Sequence, residues 1–341
     1  MITHSQPWIG KREVDAVSDI LRSGMLIGGE ARGKFSHALN RLVGGDKEVA
    51  LFASGRMAIQ AALTTLGLPS GSNIIVQSYV CDAVLWAIRE AGHFPVLCDI
   101  ADGWVANVEQ MEAVFTDCGA IILAPPFGFR QSAAAFRQFG VPIIHDLCQA
   151  SPKILVDASP ETIGDIVSLS FHPTKYLCAG GGGAAIDMTG QYGENLKALE
   201  SACHESAPFT DMQAAIGSVQ ITRIDELEMQ RARIFDLYIA EAPKALVSRL
   251  LKQIDVSPGH MFRFPLDLND CEAKDLFPEL AKAGIIMRHG VDQLAHHRLG
   301  FDDAKFPNTM RAFRKTLSPP FYPALGDTDA RTVAGAFAGM R

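Results

Sequence analysis

Three short segments carry residue types that could do chemistry together. Ser54-Gly55-Arg56 follows an apolar run and opens a helical pattern. Glycine lets a backbone approach a ligand closely, and the free amides of a helix start favour an anion. The segment reads as a phosphate cradle, although taken alone a plain serine N-cap is the commoner meaning. His145-Asp146-Leu147-Cys148-Gln149 ends a second apolar run. An acid in that setting needs a cationic or hydrogen-bonding partner, or else caps a helix. Ser170-Phe171-His172-Pro173-Thr174-Lys175-Tyr176 ends a third run, with Gly180 to Gly183 behind it. A lysine held among backbone amides and apolar walls can lose enough basicity to attack a carbonyl.

Taken together, these segments answer the needs of one cofactor, pyridoxal 5′-phosphate (PLP). Its phosphate goes to a helix N-terminus, its aldehyde to a lysine as a Schiff base, and its ring nitrogen to a carboxylate. Other candidates are weaker. His172, close to Lys175, either assists proton transfer or substrate contact or is a packed loop histidine. His296-His297 with Asp302-Asp303 invites a metal, but adjacent histidines rarely point at one ion and zinc spacings are missing, so no metal is expected. His204-Glu205 lacks the second histidine of a zincin, and no P-loop or nucleophile-elbow motif is present. The charged run Glu226 to Arg233 reads as a solvated helix face.

The elements needed to position these residues are visible as alternation. Apolar runs at Val49–Ala53, Ile74–Val76, Pro95–Ile100, Ala120–Ala124, Val141–Asp146, Ile166–Phe171 and Gly183–Asp187 predict seven strands, several apolar on both faces. Such strands belong to a parallel sheet covered by helices, and ligands sit at their carboxyl ends. Helical stripes fall at Val14, Val17, Ile20 and Leu21 and over Arg56–Leu66. The expected fold is α/β, a three-layer sandwich on a mainly parallel seven-stranded sheet. One long helix over Gln213–Ala242 then leads to a smaller C-terminal α+β domain. There Met261–Leu266 and Gly284–Met287 read as strand-like, and Glu272–Ala283 and Thr328–Met340 as helical. The division falls at 1–230 and 231–341.

Composition narrows the class. At 341 residues the chain exceeds one ordinary core. Hydrophobic residues are 48% and charged residues 20%, an ordinary globular balance. A net charge of −7 without a basic block argues against nucleic acid. No apolar run is long enough to span a membrane, and Met1 to Arg12 lacks an apolar signal core, so a cytoplasmic location is expected. The seven scattered cysteines read as free thiols.

With these motifs the chain resembles the DegT/StrS-type sugar aminotransferases, within the fold-type I PLP enzymes, over nearly its whole length. Pro7-Trp8-Ile9-Gly10 through Leu21-Arg22-Ser23-Gly24 is similar to the family's entry segment. Ser54-Gly55-Arg56-Met57-Ala58, His145-Asp146-Leu147-Cys148-Gln149-Ala150 and Ser170 to Lys175 with Gly181-Gly182-Gly183-Ala184 resemble its phosphate, acid and lysine motifs. Met212-Gln213-Ala214-Ala215-Ile216-Gly217, Phe306-Pro307-Asn308 and Phe321-Tyr322-Pro323-Ala324-Leu325 resemble its later landmarks.

The resemblance implies that Lys175 bonds the cofactor and shuttles the proton. It implies that Asp146 pairs with the ring nitrogen and Gln149 with the ring hydroxyl. Ser170, Ser54 and the amides of Gly55 and Arg56 would hold the phosphate. It further implies ping-pong transfer from an amino acid, usually glutamate in such enzymes, to a keto sugar that is usually nucleotide-linked, in a homodimer with a shared site. Cys81 occupies the position of a ring-stacking aromatic, with Tyr79 two residues earlier as a substitute. Ser206 and Pro208 stand where the family has Asn and Arg, and Ala295 stands for a substrate-facing His, with His296 beside it. These departures keep open a second reading, a PLP-fold protein with a regulatory or binding role. Dehydratases resembling this chain carry histidine in place of the lysine, whereas Lys175 is present.

Overall fold

The computed structural model describes residues 1–341 except 102, 157, 160, 269, 339 and 341. Its main sheet has seven strands, β1 (Glu48–Phe52), β2 (Asn73–Gln77), β3 (Phe94–Cys98), β4 (Cys118–Leu123), β5 (Ile143–Asp146), β6 (Ile166–Ser170) and β7 (Gly183–Asp187). The order is β1-β7-β6-β5-β4-β2-β3. β7 runs antiparallel to both β1 and β6, and the other pairings are parallel. The apolar runs named above supply these strands. They are buried on both faces because helices cover both sides of the sheet, as a parallel sheet requires.

The antiparallel insertion of β7 builds the site. Its first residue, Gly183, pairs with Phe52 at the end of β1 and with Ser170 at the end of β6. The exits of β1 and β6 are thereby held side by side around a glycine. Only a residue without a side chain fits, since a Cβ on Gly183 would fall 2.6 Å from the Gly55 backbone. Gly180, Gly181 and Gly182, with φ of 74°, 148° and 97°, make the turn into β7, a left-handed path that glycine alone follows without cost.

On one face of the sheet, Phe35, Phe171 and Phe209 pack as an aromatic trio with ring centroids 5.2 to 6.1 Å apart. Each such pair adds about 0.5–1.5 kcal/mol beyond its buried area. The C-terminal part has a two-stranded antiparallel sheet, β8 (Leu266–Asp267) with β9 (Thr316–Leu317). The core around it also takes in Tyr79, Trp104, Phe127 and Phe129 from the main sheet's loops.

Several expectations are corrected. The stretch Gln213–Ala242 is two helices, Asp211–Thr222 and Ile224–Glu241, broken at Arg223 (φ −104°, ψ 11°). Neither Pro nor Gly marks the break. Tertiary contacts hold it: the Arg223 guanidinium pairs with Glu13 at 2.7 Å and lies 4.2 Å from the Trp8 ring. Met261–Leu266 is strand only at Leu266, because Phe262 and Arg263 give their amides to the Phe127 carbonyl instead. Gly284–Met287 joins no ladder, since residues 284–286 bond to Ile2 of the N-terminal segment. The last helix is Asp327–Phe337, and Gly339 of the expected span lies outside the described residues. Within the charged run, Arg231 is buried rather than solvated. It donates to the Phe262 carbonyl at 3.1 Å and sits 4.6 Å from the Tyr176 ring.

The N-terminal stripe forms the helix Lys11–Ser23, but Val14 and Leu21 on it are more than half exposed. Among the described residues no helix is long and apolar enough to cross a membrane.

Candidate active site

The exits of β1, β2, β4, β5 and β6 and the N-terminal segment converge on one cavity of about 770 Å³. Lys175, Asp146 and the Ser54-Gly55-Arg56 turn all line it, so the geometry unites the three segments that the sequence singles out.

The turn comes first. Ser54 is the N-cap of the helix Gly55–Thr65, and its hydroxyl accepts from the Met57 amide at 3.2 Å. The Ser54 hydroxyl thus caps the helix as an acceptor and keeps its O–H to donate, beside the amides of Gly55 and Arg56 as helix-start donors. A Cβ on Gly55 would lie 2.7 Å from Ser170 Cβ and 3.2 Å from Cys148 Sγ. Ser170 and Cys148 therefore close directly over the turn. The Arg56 side chain runs outward to Glu90 at 3.5 Å.

Asp146 ends β5. Its Oδ1 accepts from the Cys148 amide at 3.0 Å and from Ser168 Oγ at 3.2 Å. Ser168 is its register partner across β5 and β6. One oxygen is thus fixed from two sides in a residue only 9% exposed, leaving the carboxylate oriented in the cavity wall. Burial and then Asp146 push the Cys148 thiol up, so it stays protonated. Gln149 Oε1 accepts from the Phe127 amide at 3.1 Å, which leaves its NH₂ to donate. His145, next to Asp146, is taken up by the Gly164 amide at 3.2 Å. Burial first and then Arg137 push it down to about 3.

Lys175 is partly buried, its Nζ 5.6 Å from the Phe262 ring centroid. His172 lines the cavity too. Its Nδ1 accepts from the Thr174 amide at 3.3 Å, which puts the proton on Nε2. Burial first and then Lys175 lower its basicity, so it is neutral near pH 7.

Cys81 lines the cavity as the N-cap of the helix Asp82–Glu90. Tyr79 is fully buried in the wall, edge-on to Phe127, and its hydroxyl occupies the space a Cβ on Gly290 would need. His296 does not line the cavity. It is fully buried, stacked on Phe306, and hydrogen-bonded to Ser78 Oγ at 2.6 Å. Its substrate-contact expectation is corrected, because that bond and the stacking turn the ring into the core. His296 and His297 do converge, contrary to expectation, on Asp303 Oδ1 at 3.2 and 2.6 Å. Ser206 is exposed and bonds only its own turn, at Cys203 O.

Sequence reasoning missed part of the wall. His4, Ser5, Phe262, Arg263 and Arg288 line it as well. They reach it because Ile2 bridges to Ile285 and the Phe127 carbonyl holds residues 262 and 263. No local signal marks them, since their place depends on contacts between distant segments.

The donor set fits PLP: a helix N-terminus, an amine and a fixed carboxylate face one cavity. Gly55 and Arg56 amides with Ser170 would hold the phosphate, Asp146 the ring nitrogen, and Lys175 the aldehyde carbon. When bound, the cofactor would supply an electron sink for proton removal at an amino-bearing carbon.

Comparison with known proteins agrees. A curated relative, a dTDP-4-dehydro-2,3,6-trideoxy-D-glucose 4-aminotransferase of Saccharopolyspora spinosa, is 25% identical, covering 99% of this chain and 96% of its own. The aminotransferase TlmJ of Streptoalloteichus hindustanus superposes with a TM-score of 0.83 at 21% identity, covering 99% and 98% of the two chains. Helicobacter pylori PseC, an aminotransferase involved in the biosynthesis of pseudoaminic acid, gives 0.84 at 18% identity, covering 99% and 98%. These solved structures share the fold, that of the fold-type I PLP enzymes. Residues 7–338 match the DegT/DnrJ/EryC1/StrS aminotransferase family, and the chain belongs to it.

Proposed function

We propose that the protein is a PLP-dependent sugar aminotransferase. It moves an amino group from an amino acid, glutamate by preference, to a keto sugar that is nucleotide-linked. The observation that carries this reading is the convergence of Lys175, Asp146 and the Gly55 helix start on one cavity. The chain's residues divide the work. Gly55, Arg56 and Ser170 bind the phosphate, and Asp146 keeps the ring nitrogen protonated. Gln149 donates to the ring hydroxyl. The Lys175 amine would hold the aldehyde carbon of the cofactor and would take and return the proton at the amino-bearing carbon. His172, neutral and with Nε2 protonated, is a substrate hydrogen-bond donor at the mouth, and Cys81 and Tyr79 complete the walls beside the ring. The two half-reactions share one site, so transfer is ping-pong.

The unit that binds PLP is residues 1–230, with 231–341 as the smaller C-terminal unit. The working form is a homodimer. Ile9, Val14, Leu21, Met25, Leu26 and Ile27 leave an apolar face 39–57% exposed at the N-terminus, the kind of surface that marks an interface. The test is incubation of the PLP-loaded protein with glutamate and a dTDP-linked 4-keto sugar. Mass-spectrometric detection of the amino sugar supports the assignment. Absence of product with every donor and acceptor tried, despite bound PLP, supports the regulatory or binding reading instead.

A further inference from the structure

Arg263 is a buried cation with no anion beside it. The residue is 8% exposed, lines the cavity, and stacks on Phe262 at 4.3 Å. One terminal nitrogen donates to Ser5 Oγ at 2.8 Å, and no carboxylate among the described residues pairs with it. Its neighbours do not compensate. Burial first, then the charges of Arg231 and Arg288, push the guanidinium down to about 9. The acid that pulls on it, Asp292, is exposed and lies 3.7 Å from Arg288. Proteins seldom bury an unpaired charge, and one facing a cavity marks a ligand of opposite sign.

The support around Arg263 is built to hold it rather than neutralise it. Ser5 Oγ, having accepted from Arg263, is free to donate to His4 Nδ1 at 3.1 Å, and His4 Nε2 meets Ser318 Oγ at 3.1 Å. His4 itself stays uncharged, its basicity lowered by burial and then by Arg263 and Arg288.

We infer that Arg263, with Arg288 on the same wall, receives a substrate oxyanion, the carboxylate of the amino-acid donor. The assignment rests on the aminotransferase reading of the cavity. Lys175 and Arg263 lie on the same ring, Phe262, at 5.6 and 4.3 Å. An anion on Arg263 is therefore in the same part of the cavity as the Lys175 amine, where the donor's amino-bearing carbon must come. The guanidinium fork matches a carboxylate bidentately, and its buried position suits a small planar group. The other cavity arginines are exposed and already paired, Arg56 with Glu90 at 3.5 Å, Arg298 with Asp82 at 3.0 Å and Arg288 loosely with Asp292 at 3.7 Å, so Arg263 alone is both buried and without a carboxylate among the described residues.

The experiment compares wild type, Arg263→Gln and Arg288→Gln, all PLP-loaded. Glutarate, a dicarboxylate without an amine, is titrated by calorimetry, and dTDP is titrated as the rival anion. Glutamate-driven conversion of PLP to its amine form is followed in single turnover, with ethylamine as a donor lacking a carboxylate. Arg263→Gln is expected to weaken glutarate and glutamate by roughly 10- to 100-fold, the loss of a charged hydrogen-bonded pair. It leaves dTDP affinity and the ethylamine reaction unchanged. Arg288→Gln, at an exposed side chain, is expected to cost about 2- to 5-fold and decides the matter if Arg263→Gln does not fold. Unchanged glutarate binding in the folded variants overturns the inference, as does loss of dTDP with glutarate retained, which assigns the site to the acceptor's phosphate. Glutarate binding needs no turnover. A wild type that binds it through Arg263 but never converts PLP would therefore sink the function and not this site.

Discussion

Ser168 donates a hydrogen bond to Asp146 Oδ1 at 3.2 Å, across the register of β5 and β6. Sheet pairing itself thus orients the carboxylate assigned to the ring nitrogen. Asp146→Asn removes the charge and keeps the shape. It should lower turnover by at least about 100-fold, a loss of roughly 3 kcal/mol in transition-state stabilisation, while PLP affinity changes far less. Steady-state rates beside equilibrium dialysis of PLP check this. Ser168→Ala should act in the same direction but weakly, by about 1 kcal/mol. Equal activity in Asp146→Asn and wild type would remove Asp146 from its role.

The phosphate turn has no room for a side chain. Gly55→Ala places a Cβ 2.7 Å from Ser170 Cβ, so the turn or Ser170 must shift. We expect PLP affinity to fall roughly 5- to 100-fold, from overpacking of about 1–3 kcal/mol. Dialysis of the variant against graded PLP measures it, and wild-type retention would show that the cofactor lies elsewhere.

Glu13 couples stability to pH. Its side chain is buried with Arg223 at 2.7 Å. Burial pushes its carboxyl up, but the Gly10 amide, Arg223 and Gln220 outweigh that and hold it below the ordinary value. A carboxyl depressed in the folded state stabilises above its unfolded pKa, ~4.3, and the contribution is lost as pH falls through the lower folded value. Glu13→Ala leaves Arg223 with Glu226 alone, at 3.0 Å, and should cost about 1–3 kcal/mol at pH 7, shrinking as the medium is acidified below pH ~4. Urea unfolding across pH reads both. A pH-independent difference would remove the charge from the account.

The exposed N-terminal face predicts assembly. Leu21→Asp, at a residue 56% exposed in the single chain, should leave the fold intact. In the dimer it buries a charge and should weaken association by at least about 2 kcal/mol, roughly 30-fold. Sedimentation velocity across a concentration series measures this. A wild type that stays monomeric at all concentrations would refute the shared site.

The sheet is legible because its strands are largely apolar runs, and those of β5 and β6 end in residues that matter, Asp146 and Ser170, with Lys175 soon after. The rest depends on distant contacts. Arg231 sits in a charged run that looks solvated, yet its partners are the Phe262 carbonyl and the Tyr176 ring. Arg263 follows a phenylalanine in an undistinguished apolar stretch, and only the Phe127 carbonyl and Ser5 bring it to the cavity. His296 carries a polar side chain beside a family landmark, but Ser78 and Phe306 turn it inward. Local pattern reports which element a residue belongs to. It does not report which far segment folds against it.

The most direct test of the account is the visible spectrum of the PLP-loaded protein before and after glutamate, for wild type and Lys175→Ala. The account predicts a visible band in wild type that glutamate converts to that of the amine form. It predicts no lysine-dependent band in Lys175→Ala, whose circular dichroism stays native because the side chain lies in a strand-exit loop. A lysine-type band surviving in Lys175→Ala, or a wild-type band that no amino donor alters, would contradict it.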